Sequence, residues 1–136
     1  MIGRVVGSLI FMVALTACQK AISQAANRPL ASLAGTEWGP VDDRFDQFVA
    51  FKSDGDVIGS GGCNNFFGSF TQTGRLITFG PLASTKKACP RPLMTAEQEF
   101  LRLLENVRAV DATFKELTLY DADNQVLTRL RRRDWD

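Results

Sequence analysis

The chain has 136 residues, 45% of them hydrophobic and 23% charged, which is room for one domain with a single core once the ends are set aside. Sixteen basic residues against 15 acidic ones leave a formal charge of +1, so no global field selects a nucleic acid or another polyanion. Histidine is absent, which removes Ser-His-Asp and Cys-His catalysis, the commonest zinc ligand and the usual neutral-pH general base.

The first predicted element is an export signal. Met1-Ile2-Gly3-Arg4 is short and basic, and an almost uncharged run follows from Val5 to Ala17. That run is about 13 residues long, against the roughly 20 a helix needs to cross a hydrocarbon core, and no basic cluster follows to stop transfer. It ends in Leu15-Thr16-Ala17-Cys18, which resembles the lipobox read by lipoprotein-processing enzymes. The resemblance implies a diacylglycerol thioether on Cys18, cleavage before it and acylation of the new amine. More than one acyl chain matters, because a single myristoyl-length chain binds a membrane only marginally. Gln19, rather than Asp, follows the cysteine, which favours the outer membrane by resemblance to enteric sorting rules. Gln19 to Ser32 is rich in Ala, Gln, Ser and Asn without apolar periodicity and reads as a flexible tether, leaving a domain over residues 33 to 133.

Trp38, after Gly35-Thr36-Glu37, reads as the core plug of a first strand, which Gly39-Pro40 makes short or places on a sheet edge. Gln47 to Lys52 fits a second strand, Ser53-Asp54-Gly55-Asp56 a tight turn, and Val57-Ile58 a returning strand. Gly59-Ser60-Gly61-Gly62-Cys63-Asn64-Asn65 is glycine-rich but lacks the GK[ST] ending of a phosphate loop, so a bulged or irregular strand is expected there. Phe66 to Phe70 continues it, Gln72-Thr73-Gly74-Arg75 turns the chain, and Leu76-Ile77-Thr78-Phe79 returns. Pro90 and Pro92 interrupt the chain after Cys89. Thr95-Ala96-Glu97-Gln98 then reads as a capping box, and Phe100, Leu101, Leu104 and Val107 recur at helical spacing, predicting a helix over about 95 to 107. Glu116 to Tyr120 and Val126 to Leu130, joined by Asp121-Ala122-Asp123-Asn124, make a last hairpin. The fold class is therefore α+β: mostly antiparallel β, a curved sheet or cracked β-barrel with one inserted helix.

Two cysteines, Cys63 and Cys89, lie inside the domain. In an oxidising compartment an even pair is most simply a disulfide, worth about 3 to 4 kcal/mol by loop-closure entropy. Free structural thiols are an alternative, as is a metal or redox pair, although no CxxC spacing supports the latter. Asn64 and Asn65 read first as residues that satisfy nearby backbone, and with Ser84, Thr85, Lys86 and Lys87 they form a candidate binding surface beside the cysteines. The basic stretch of Arg129, Arg131, Arg132 and Arg133 reads as a solvated strand end, with contact to anionic headgroups as its functional alternative. Ser60, Ser69 and Ser84 are nominal nucleophiles with no histidine to activate them.

The stretches Gly62-Cys63-Asn64-Asn65-Phe66-Phe67-Gly68-Ser69-Phe70 and Gly80-Pro81-Leu82-Ala83-Ser84-Thr85-Lys86-Lys87-Ala88-Cys89-Pro90 resemble the META-domain family, which includes heat-shock lipoproteins. The resemblance covers Leu33 to about Leu130. It implies a cracked barrel closed by one helix, similar in shape to secretin-pilot lipoproteins, and an association with envelope stress. It implies no reaction, since no catalytic residue defines the family. The expected protein is a non-catalytic binding or assembly module without cofactor or metal. It is expected to be monomeric, held at the periplasmic face of the cell envelope by lipid on Cys18, with an envelope protein or a lipid-like ligand as partner and no nucleic acid. A structural, stress-protective envelope protein without a dedicated ligand is the alternative.

Overall fold

The computed structural model describes residues 28–42 and 44–133; the expected export segment, Cys18 and the first part of the expected tether lie outside them. Nine strands and one helix follow in order: β1 (Thr36–Pro40), β2 (Phe48–Phe51), β3 (Asp56–Ser60), β4 (Asn65–Thr73), β5 (Leu76–Phe79), β6 (Ala83–Ser84), α1 (Arg91–Asn106), β7 (Ala109–Ala112), β8 (Glu116–Tyr120) and β9 (Val126–Arg132). Every strand pairing is antiparallel. The sheet runs β3-β2-β1-β9-β8-β7-β5-β4, and β3 also pairs with β4, so it closes on itself as a barrel of eight strands, with the two-residue β6 also paired to β4.

Closure is uneven. β8 and β9 match over five residue pairs, whereas β5 and β7 share the single pair Leu76 with Ala109. Two backbone hydrogen bonds, Ile77 N–H to the Arg108 carbonyl at 3.1 Å and Val110 N–H to the Arg75 carbonyl at 2.8 Å, flank that pair. Here the barrel is cracked. The Arg75 guanidinium bridges the crack to the Asp111 carboxylate, its Nε 2.6 Å from Oδ1.

Alternation explains which faces turn inward. Val57, Phe66, Phe70, Ile77, Leu117, Leu119 and Leu130 are buried from their strands, and α1 adds Phe100 and Leu104 to the same core. Phe51 sits edge-on to Phe70 with ring centroids 4.9 Å apart, a geometry worth about 1 kcal/mol beyond its area. Trp38 is fully buried, and its indole N–H donates to Thr36 Oγ1 at 2.6 Å, whose hydroxyl donates in turn to the Leu33 carbonyl. The barrel interior is thus filled with side chains. Beneath α1, Phe66 and Phe100 meet with ring centroids 6.2 Å apart.

Four expectations are corrected. β1 is no edge strand: it lies between β2 and β9, and Pro40 is tolerated because it is the last residue of the strand. Gly61 to Asn64 is the connection of a β3–β4 hairpin, in which Gly62 adopts φ +114°, and is no bulged strand. The helix starts at Arg91, with Pro90 as its N-cap and Pro92 in its first turn. A proline in the first turn loses no hydrogen bond, since the first amides of a helix have no internal acceptor. Thr95 therefore lies inside the helix. The stretch expected to be tether, finally, is already part of the fold before Ser32: Pro29 bridges Thr113, and the Leu30 N–H donates to the Ala112 carbonyl at 2.8 Å.

Candidate functional site

The motif residues converge on one buried carboxylate. Glu97 faces inward from α1 at 4% exposure and accepts from the Asn64 N–H on Oε1 at 2.8 Å and from Asn64 Nδ2 on Oε2 at 3.0 Å. Asn64, itself 4% exposed, accepts on Oδ1 from the Lys87 N–H at 2.6 Å and the Thr85 hydroxyl at 2.9 Å, while its Nδ2 also reaches the Lys87 carbonyl at 3.2 Å. Gln47 Nε2 donates to the carbonyls of Gly61 and Ala96, tying β2 to the hairpin and the helix. Cys63 and Cys89 are joined by a disulfide across the same place. A Cβ at Gly61 would stand 2.5 Å from Glu97 Cγ, which is why the chain has no side chain there.

This constellation fastens the hairpin, the β6 segment and the helix start together, with its polar groups turned on one another. Asn64 lies beneath the surface; Asn65, Thr85, Lys86 and Lys87 are exposed around it, and Ser84 is half-buried on β6. The six candidate residues are thus neighbours, arranged as a scaffold around Asn64. Ser60 spends its hydroxyl accepting from the Gly62 N–H at 3.1 Å.

A second cluster, at the crack, is electrostatic. The Arg75 hydrogen bond holds the Asp111 carboxyl below the usual carboxylate range, and the bond to Asp111 raises both Arg75 and the Tyr120 phenol above their ordinary values. All three groups are open to solvent, where such pairs contribute little. Among the described residues no group of His, Cys, Asp and Glu is placed to hold a metal ion.

The concave feature with the chemistry of a binding site lies elsewhere. A cleft of about 690 Å³ is lined by Val41 just after β1, by Phe114, Lys115 and Glu116 at the β7–β8 turn, and by Leu130, Arg131 and Arg132 on β9. Val41 and Phe114 are 63% and 56% exposed. The Arg132 guanidinium lies 4.6 Å from the Phe114 ring centroid and 5.7 Å from that of Trp38, so one cation links core and cleft. The basic stretch therefore divides. Arg133 donates to the Gln47 carbonyl and to Asp46, Arg129 stands 3.8 Å from Glu116, and Arg131 with Arg132 faces the cleft. Phe114 was the signal in the sequence: a large ring between Thr113 and Lys115, outside any alternating run.

A further cleft of about 440 Å³ lies against Phe45, Gly62 and Leu93, next to the disulfide. No curated protein matches the chain. Three solved structures share its fold. One, from Burkholderia xenovorans, is 20% identical with a TM-score of 0.62 and covers 75% of this chain and 84% of its own. A second, from a domain-of-unknown-function family of Bacteroides vulgatus, is 17% identical with a TM-score of 0.59 over 76% and 96%. The third, solved by NMR, is 22% identical with a TM-score of 0.55 over 73% and 90%. At such identities the likeness is one of fold. The family model described as META domain matches residues 30–134, and the chain belongs to the META domain family.

Proposed function

We propose that the chain is a lipoprotein of the cell envelope, anchored through Cys18 at the periplasmic face, preferentially of the outer membrane. Its META domain is a non-catalytic binding or assembly module that serves under envelope stress. The observation that carries the reading is the cleft: apolar at Val41 and Phe114 and rimmed by Lys115, Arg131 and Arg132, with Glu116 as its one acidic lining residue. Such a surface suits a partner with an apolar part and an anionic part, whether an envelope protein or a lipid-like molecule. The lack of histidine weighs against hydrolysis by a serine nucleophile.

Two measurements test this. In cells fed labelled palmitate, the wild-type protein takes up label and sediments with membranes, and Cys18→Ala does neither. A photo-crosslinking residue at position 114 captures a discrete species, whereas one at the exposed Thr71 on β4 does not. Equal capture at both positions refutes the cleft as the binding surface. The filled barrel and the internally satisfied Asn64–Glu97 knot favour the second reading, a structural envelope protein without a ligand. In that case deletion sensitises cells to heat, and variants of Phe114 and Arg131 rescue them as well as the wild type does.

A further inference from the structure

We infer that the occupant of the cleft face is the bilayer itself: the domain lies on the anionic membrane surface with Phe114 and Val41 at the interface and Lys115 and Arg131 among the headgroups. This rests on the Cys18 anchor proposed above and says how the anchored domain is oriented.

The first support is where the tether enters the fold. Pro29 bridges Thr113 and the Leu30 N–H bonds to the Ala112 carbonyl, so the chain arrives directly beside Phe114. The roughly ten residues from Cys18 to Arg28 span at most about 35 Å. An acyl chain on Cys18 therefore holds this end of the barrel near the lipid, within about one domain diameter.

The second support is chemical complementarity. Val41 and Phe114 are more than half exposed, so the apolar part of the cleft is open to the surroundings. Lys115 and Arg131 are exposed beside them, and Arg132 packs its guanidinium under the Phe114 ring at 4.6 Å. Apolar tips flanked by long cationic side chains are the composition of an interfacial anchor, the stems lying along apolar surface while the charges reach the headgroups. Glu116 is drawn toward Arg129 at 3.8 Å. The exposed apolar pair Ile58 and Phe67, matched across β3 and β4, does not line the cleft and serves as the comparison surface.

The test makes the anchor chemically, so that it does not depend on cellular lipidation. The chain from Cys18 onward keeps every described residue, and with Cys63 and Cys89 bonded its one free thiol is Cys18. That thiol is coupled to a maleimide lipid in vesicles carrying brominated acyl chains, either phosphatidylethanolamine with phosphatidylglycerol or phosphatidylcholine alone. In the anionic vesicles, Phe114→Trp gains fluorescence that bromine quenches and Ile58→Trp does not. In the zwitterionic vesicles the quenching at position 114 falls away. Adding Lys115→Gln and then Arg131→Gln lowers the docked-to-free ratio about fivefold each, the effect of about 1 kcal/mol per charge. Quenching equal at positions 114 and 58, or indifferent to lipid charge, overturns the docking. So does protection of position 114 that appears only when envelope proteins are added. Failure of palmitate labelling in cells overturns the anchor alone, and these vesicles still report on the docking face.

Discussion

Asn64→Ala is the substitution with the sharpest consequence, because the loss can be apportioned atom by atom. The amide makes four hydrogen bonds, to Glu97 Oε2, the Lys87 carbonyl, the Lys87 N–H and the Thr85 hydroxyl. Thr85 and Lys87 are exposed and turn to water when the amide is gone, so those three bonds cost at most a few tenths of a kcal/mol each. Glu97 has no such recourse: at 4% exposure its Oε2 is left as a buried acceptor without a donor, a loss of about 1 to 3 kcal/mol. The sum is about 2 to 4 kcal/mol, which lowers the melting temperature by roughly 10 to 20 °C in a domain of this size. The assay is urea unfolding followed by circular dichroism with the disulfide intact, with Thr85→Val as companion. Thr85→Val deletes one exposed bond and loses less than about 1 kcal/mol. If Asn64→Ala loses no more than Thr85→Val, the buried carboxylate is not satisfied by the amide and the reasoning fails.

The other expectations concern separate parts of the barrel. Reducing or deleting the Cys63–Cys89 bridge, whose partners are 26 residues apart, removes about 3.5 kcal/mol of loop-closure entropy. Non-reducing mass spectrometry verifies the bridge, and a melt with and without reductant measures the loss; coincident melts would contradict it. Thr36→Val keeps the shape of its side chain but leaves the buried Trp38 N–H without an acceptor, for a loss of about 1 to 3 kcal/mol by chemical denaturation. Asp111 is held below the ordinary carboxylate range by Arg75, so the stability it confers is complete above the unfolded-state pKa and disappears as pH falls through the lower folded value. Wild type therefore exceeds Asp111→Asn near about pH 7 and converges with it toward about pH 2, and added salt narrows the gap. A gap that persists in strong acid would assign the difference to packing.

Much of the fold was legible where alternation and turn chemistry agree, as at Asp54-Gly55 between β2 and β3 or at Leu117 and Leu119 on β8. It was less so where one residue does two jobs. Thr95-Ala96-Glu97-Gln98 has the spacing of a capping box, yet Glu97 is spent on Asn64, and the helix begins four residues earlier on a Pro90-Arg91-Pro92 start. β7 is only four residues long, with no sustained alternation, and its partners come from β5 and β8. Of the site, the neighbourhood of Cys63, Asn64 and Cys89 was legible from its motifs. The cleft was not, because Val41, Phe114 and Arg131 come from three distant places and are brought together only by barrel closure.

The place of β1 between β2 and β9 has a bearing on how the protein is made. Trp38 pairs with Val49 on one side and Arg132 on the other, so the plug of the core has both neighbours only when the last strand is present. Three successive hairpins from β2 to β5 can assemble as the chain emerges, but the ring cannot shut behind them until β9 arrives. Contacts that distant along the chain are slow to form and leave strand edges bare in the interval. Loss of the β9 segment, by a premature stop or by proteolysis, would accordingly leave an open ribbon exposed to chaperones and proteases rather than a slightly smaller barrel.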